Sequence, residues 1–232
     1  MKISILLVLL CLASHLHLGA VTLGQMQTFD GPESGWVIGV GPFVGTPTDV
    51  PIEPSGGPAG AGDPFMLIES TGTSGPQSRL SAQNFDLWSG DYIAAGVNQI
   101  RMDVRNFGES DIYLRLLFVD FEMMDPVNAA FTSDAVIVPA LSDWQTVALG
   151  IGPQALTPLL GSAGGALSNA DELRIFHSVL PFFAPGANPP FAGTLGADNI
   201  TAAFIPEPAT WTLLAGGLLL TGFARRRIRQ RR

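Results

Sequence analysis

Gln99-Ile100-Arg101-Met102-Asp103-Val104-Arg105 alternates apolar and charged side chains at period two, and Ile112-Tyr113-Leu114-Arg115-Leu116-Leu117-Phe118-Val119 follows it. Successive side chains of a strand point to opposite faces, so this pattern fits a strand with one face buried and one solvated. Between the runs, Asn106-Phe107-Gly108-Glu109-Ser110-Asp111 has turn composition. The expectation is a β-hairpin with one buried face.

Working outward, short runs of the same kind recur without long helical periods between them. Trp36 to Val40, Phe65 to Glu69, Ala135 to Val138, Gln145 to Leu149, Leu173 to Ser178 and Asn199 to Phe204 read as strands. Val44 to Asp63, with Pro47, Pro51, Pro54 and Pro58, reads as a long irregular loop. Thr71 to Pro76 and Pro139 to Asp143 read as turns, and the Gly- and Ala-rich stretch 150–169 leaves room for a short helix near Leu156 to Leu160. Strands at this spacing imply an all-β, antiparallel β-sandwich.

Both ends of the chain differ from this middle. Met1-Lys2 followed by the apolar stretch Ile3 to Ala13 has the order of a secretory signal helix, with cleavage open after Ala20 or Gly24. At the other end stand Pro206-Glu207-Pro208, an uncharged run from Trp211 to Ala224, and Arg225, Arg226, Arg227, Arg229, Arg231 and Arg232. As a helix that run is about 21 Å long, against a hydrocarbon core of ~30 Å. It spans if residues 208–210 extend it and the Arg side chains snorkel. The basic cluster then stays in the cytoplasm and the preceding chain outside. The chain thus divides into a signal peptide (1–24), a β-sandwich ectodomain (25–204) and a C-terminal segment (205–232) with a transmembrane helix.

The three parts of that segment, in this order and spacing, resemble the PEP-CTERM sorting signal of Gram-negative bacteria. The resemblance covers residues 205–232. It implies export through the Sec translocon, transient anchoring in the inner membrane, and processing near the Pro206-Glu207-Pro208 motif by an exosortase-type membrane protease. Release to the cell envelope or medium follows, in bacteria that make exopolysaccharide and biofilm. On this reading the protein is a non-enzymatic surface or matrix component. The alternatives are a carbohydrate-binding module with structural calcium, or a secreted hydrolase.

Charge and composition narrow the ectodomain's partners. Of 12 Lys and Arg, Lys2 and the six tail Arg lie in the ends; of 20 Asp and Glu, only Glu207 does. The domain therefore carries five Arg against 19 carboxylates, a net charge of −14. That field excludes nucleic acid as a partner, since binding it needs clustered Lys and Arg, and suits cations instead. The single cysteine, Cys11, falls in the signal segment, so the mature domain has no disulfide, no thiolate metal site and no cysteine nucleophile. His177 is the one histidine outside that segment, which excludes His-rich zinc sites. No Gly-x-Ser-x-Gly elbow supplies a serine nucleophile, and the sequence designates no catalytic residue.

The hairpin-like stretch Ile100 to Val119, together with Gly196-Ala197-Asp198-Asn199-Ile200 opening the last strand, resembles jelly-roll domains of the galactose-binding or carbohydrate-binding-module type. Such modules often hold a structural calcium where the first and last strands meet, and Asp30 and Asp198 are the acids in those places here. Phe85, Trp88 and Tyr92 cluster around Ser89-Gly90-Asp91. Aromatic faces beside a carboxylate suit a sugar's apolar face and hydroxyls, so Trp88 and Tyr92 are expected to form a sugar platform if exposed.

Overall fold

A computed structural model of the chain describes residues 20–31, 34–38, 47–73, 77–180 and 189–205. Most of the signal segment, the Pro206-Glu207-Pro208 motif, the apolar run and the six tail arginines lie outside the described residues. No helix among the described residues is long and apolar enough to cross a membrane.

Among the described residues fourteen strands form two antiparallel sheets. β1 is Met26–Gln27, β2 Trp36–Ile38, β3 Thr48–Asp49, β4 Ile52–Glu53, β5 Phe65–Thr71, β6 Ser81–Asn84 and β7 Gln99–Asn106. Then come β8 Ile112–Glu122, β9 Asp125–Thr132, β10 Val136–Val138, β11 Gln145–Gly150, β12 Leu156–Leu160, β13 Glu172–His177 and β14 Ala192–Ala203. The smaller sheet has the order β11-β7-β14-β5-β4, with β1 also on β14; the larger runs β12-β9-β8-β13-β6-β2-β3, with β10 on β8. The α-helix among the described residues, α1 (Ala163–Ser168), starts where Ser162 Oγ accepts the Gly165 N–H at 2.9 Å. It buries Ala163, Ala166 and Leu167 in the main core.

That core lies between the sheets. Ile100, Met102 and Val104 from β7 and Met66 and Ile68 from β5 meet Ile112, Leu114, Leu116 and Phe118 from β8, all at most 1% exposed. The expected hairpin is therefore corrected. β7 and β8 are both strands, but β7 pairs with β11 and β14 while β8 pairs with β9, β10 and β13. Paired with each other, their apolar faces would line a single sheet with nothing to cover it; in opposite sheets they cover each other. The buried Asn106 pins the crossing: its Nδ2 donates to Ser110 O at 2.9 Å and Val138 O at 3.1 Å, and its Oδ1 accepts the Gly108 N–H at 2.9 Å. β8 is also apolar behind, where Leu117 and Val119 pack with Ala129, Phe131 and Phe176.

Other expectations shift as well. The stretch 156–160 is strand β12 rather than helix, and the helix follows it at Ala163–Ser168. The last strand begins at Ala192, seven residues before Asn199. β10 and β11 flank the 139–143 turn as expected, yet they too join different sheets.

Gln27 ties the two sheets together at one end. Its side-chain oxygen accepts both indole N–H groups, Trp36 Nε1 at 2.9 Å and Trp88 Nε1 at 2.6 Å, while its Nε2 donates to Ser34 O at 2.6 Å. β1 belongs to the smaller sheet and β2, which carries Trp36, to the larger. Replacing this amide strands two buried indole donors, each worth about 1–3 kcal/mol when unpaired. Gln27→Leu is expected to lower Tm by roughly 10 °C in a calorimetric scan; a shift of only a degree or two would mean that the indoles find other acceptors.

Candidate functional site

β14 builds the site. Along it Leu195, Ala197, Ile200 and Ala202 enter the core, and the alternation turns Gly196 and Asp198 to the outer face of the smaller sheet. On β7, Arg105 lies opposite Gly196 and Asp103 opposite Asp198. On β11, Thr146 lies opposite Asp103, with Trp144 two residues earlier. Phe65 opens β5 and Phe107 follows β7.

Three rings meet over Gly196. Phe65 and Trp144 pack edge-on with centroids 5.2 Å apart, Phe65 and Phe107 stack at 5.8 Å, and Phe107 and Trp144 meet edge-on at 6.5 Å. A Cβ at Gly196 would sit 2.9 Å from both Phe107 Cε2 and Trp144 Cη2 and 3.2 Å from Phe65 Cδ2. The missing side chain is what lets the rings lie against the strand. Trp144 Nε1 donates to Gly56 O at 2.8 Å, which fixes the indole to the loop between β4 and β5. Phe65 is buried, whereas Phe107 and Trp144 remain half-exposed. The Arg105 guanidinium carbon lies 4.7 Å over the Phe107 ring, and its Nη2 is 4.0 Å from Asp143 Oδ1.

Two buried polar atoms on this face have no hydrogen-bond partner in the protein: Arg105 Nε, a donor, and Asp198 Oδ1, an acceptor. Such groups cost free energy unless a ligand or water satisfies them. The neighbouring carboxylates are better served. Asp103 accepts from Thr146 Oγ1 at 2.5 Å and from Asn199 Nδ2 at 2.9 Å, and Asp63 Oδ2 accepts the Ala59 N–H at 2.6 Å. Asn199 reaches Asp103 because the register shifts between Asp198 and Thr201, where Asn199 takes φ +51. Burial pushes the Asp198 carboxyl up to about 6; Asp63, Asp103 and Asp30 push in the same direction against a lowering hydrogen bond from the Asn199 backbone.

Asp198 is thus buried at the face, and Asp30 is exposed and acts on it electrostatically. Among the described residues no three His, Cys, Asp or Glu side chains are arranged to hold a metal ion. The expected sugar platform is corrected outright: Trp88 and Tyr92 are both 0% exposed and present no face to solvent. Trp88 is held by Gln27, the Tyr92 hydroxyl donates to Trp88 O at 2.7 Å, and the Tyr92 ring packs edge-on to Phe118 at 5.0 Å. Both are core aromatics.

His177 is structural. Its Nδ1 accepts the Tyr113 N–H at 3.1 Å and its ring stacks 3.7 Å from Phe191. Burial, with Arg115 adding to it, lowers the imidazole to about 4, so it is neutral at physiological pH. The site residues that the sequence did not single out are Phe65, Phe107, Trp144, Arg105 and Asp103. A signal existed for the last two, in the charged half of the 99–105 alternation; the rings sit at strand ends and loops, where period gives none.

No protein-family model and no curated protein sequence matches the chain. Solved structures do. The family 11 carbohydrate-binding module of a cellulosomal cellulase of Clostridium thermocellum aligns at 15% identity over 81% of this chain and 99% of its own, with a TM-score of 0.48. The same module in complex with a β-1,3-1,4-mixed-linked tetrasaccharide aligns at 15% identity over 81% and 100%, with a TM-score of 0.49. An exo-β-agarase aligns at 12% identity over 80% of this chain, with a TM-score of 0.51, and the chain spans 25% of the agarase. At that identity the agarase likeness defines the fold alone, an antiparallel β-sandwich.

The Asp198 environment has a stability consequence. Its folded value of about 6 exceeds the ordinary 3.8, so between these values the native state binds more protons than the unfolded chain. Stability attributable to Asp198 falls as pH rises through that window and stays reduced above it. His177 works in the opposite sense, losing stability as pH falls from 6.5 towards 4, but it is common to wild type and variant. Asp198→Asn is expected to stabilise by roughly 1 kcal/mol at neutral pH, allowing for solvent screening, a gain in Tm of a few degrees. The two proteins should melt together near pH 4, and calorimetry at both pH values checks it.

Proposed function

We propose that the chain is an exported, non-enzymatic carbohydrate-binding β-sandwich that takes a glycan along the outer face of its smaller sheet. The observation that carries this is the pairing of half-exposed rings, Trp144 and Phe107, with an unsatisfied donor, Arg105 Nε, and an unsatisfied acceptor, Asp198 Oδ1, around Gly196. A sugar has an apolar face for rings and hydroxyls that both donate and accept. It supplies a partner of each kind.

Affinity electrophoresis through soluble polysaccharides, including mixed-linkage β-glucan and the exopolysaccharide of the producing cell, tests the assignment. Wild type should be retarded by at least one of them, and Trp144→Ala and Arg105→Ala should weaken retention about tenfold, the worth of one good ring or hydrogen-bond contact, with circular dichroism unchanged. No retardation on any glycan, or variants that bind like wild type, would overturn it.

We further propose that this domain reaches the envelope through the C-terminal segment, handled by the Sec translocon and an exosortase-type protease acting near Pro206-Glu207-Pro208. What supports it in the folded part is the chain exit. Asn98 holds Ile205 by two hydrogen bonds, Nδ2 to Ile205 O and Ile205 N to Oδ1, each 2.8 Å. Ile205, one residue before Pro206, is thus held to the sandwich. Intact mass of the protein from envelope and medium should end near residues 206–208; a mass retaining Arg225 to Arg232 would mean a permanent anchor instead.

A further inference from the structure

We infer that the buried Asp198 carboxylate recognises the ammonium group of an N-deacetylated amino sugar, so that the glycan on this face is a cationic, glucosamine-type polymer rather than a neutral or acidic one. The inference rests on the glycan-binding reading of the same face and adds the substrate class.

Asp198 is 2% exposed, and its Oδ1 has no partner. A hydroxyl alone would satisfy that oxygen as a neutral donor. The surroundings ask for more. The charged groups acting on Asp198 are three carboxylates: Asp103 directly opposite on β7, Asp63 in the loop before β5, and Asp30 after β1. Like charges facing each other across a ladder destabilise it, and the fold keeps this arrangement at the centre of a sheet. A bound positive charge reverses the sign of every one of these interactions. Two arginines flank Asp103 on β7 along the same face: Arg105 is turned to Phe107 and Asp143, and Arg101, opposite Thr201, is exposed.

A metal ion would supply the charge, but the described residues do not assemble three metal-ligating side chains there. Calcium takes six to eight oxygens, and Asp103 and Asp63 already accept hydrogen bonds from Thr146, Asn199 and Ala59. An ammonium needs only two or three acceptors and tolerates a ring on another side. The half-exposed Trp144 and Phe107 rings, which meet over Gly196 two residues from Asp198, provide the surface for the rest of the sugar. The domain's net charge of −14 steers a polycation towards it and disfavours an acidic polysaccharide.

Isothermal titration of the purified ectodomain with three oligosaccharides of equal length tests this: a β-1,4-glucosamine oligomer, its N-acetylated counterpart and a cello-oligosaccharide. The titrations are run just above the Asp198 value of about 6, where carboxylate and ammonium are both charged. Wild type should prefer the deacetylated oligomer by about tenfold or more. Asp198→Asn should erase the preference while leaving the domain folded. Asp125→Asn, the same loss of charge at the β8–β9 tip on the other sheet, should keep it, which separates a site from bulk attraction. Trp144→Ala should weaken all binding. If neutral oligomers bind and Asp198→Asn changes no ratio, the ammonium assignment fails and the glycan-binding face stands. If Asp125→Asn erases the preference as fully as Asp198→Asn does, bulk charge rather than a site produces it, and the assignment fails. If calcium chloride raises Tm of wild type but not of Asp198→Asn, a metal takes the site and the assignment also fails. If no oligosaccharide or polymer binds wild type, both readings fall.

Discussion

Two indole N–H groups sharing one amide oxygen inside the sandwich set a constraint that much of the chain obeys. Trp36 and Trp88 are each 0% exposed, so their nitrogens must be paired within the protein. Gln27 Oε1 is the acceptor for both. Three distant stretches are thereby brought to one point: the short strand that adds to β14, the strand that adds to β6, and the loop after β6. The loop is anchored again by Tyr92, whose hydroxyl caps Trp88 O, and by Val21, which donates to Ser89 O at 2.8 Å. An apolar core tolerates sliding between layers; a buried amide with two donors does not. Here polar specificity closes one end of a sandwich whose bulk is held by unspecific apolar burial.

That explains which parts of the fold were legible in the sequence. Period two at 99–105 revealed a strand and its buried face, because burial of alternate side chains is a local property. Its partner was not legible. The six-residue link 106–111 is as short as a hairpin turn, yet it passes between sheets, and only the buried side chain of Asn106 distinguishes the two outcomes. β8 carried a hint: Leu116-Leu117-Phe118-Val119 breaks the alternation, as a strand covered on both faces does. β9, Asp125–Thr132, escaped because Pro126 and Asn128 weaken its strand character. In the stretch 156–160 the apolar residues fit either a helix or a strand, and pairing with β9 decided it.

The same division holds for the site. Asp198 was legible as an acid of the last strand, though not its place midway along it, and its burial with a free oxygen gives that position weight. Trp88 and Tyr92 were misplaced because an aromatic beside Gly and Asp looks alike whether its ring faces out or in. Only the sheet pairing reveals that Gln27 waits beneath Trp88. Conversely, Phe65, Phe107 and Trp144 are dispersed over eighty residues and converge because β5, β7 and β11 end near one another across β14. Nothing local marks such a convergence. What marks it in three dimensions is Gly196, a position where a side chain would collide with two rings.

β14 joins the two halves of the proposal. Gly196 and Asp198 stand midway along it, and the same strand ends at Ala203, with Ile205 clamped by Asn98. From Asp198 to Ile205 is seven residues, roughly 23 Å of extended chain. From Ile205 to Trp211 is six more, at most about 20 Å. On the sorting reading, the uncleaved protein would therefore hold its binding face within about 45 Å of the bilayer, among whatever glycan is leaving the cell there, and cleavage near residue 206 would free the face without disturbing it. On this reading strain is not carried from the exit to the site, because between Asp198 and Ala203 the strand is held by β7 on one flank and β1 on the other. Release would change where the domain is, and the geometry around Asp198 would stay the same.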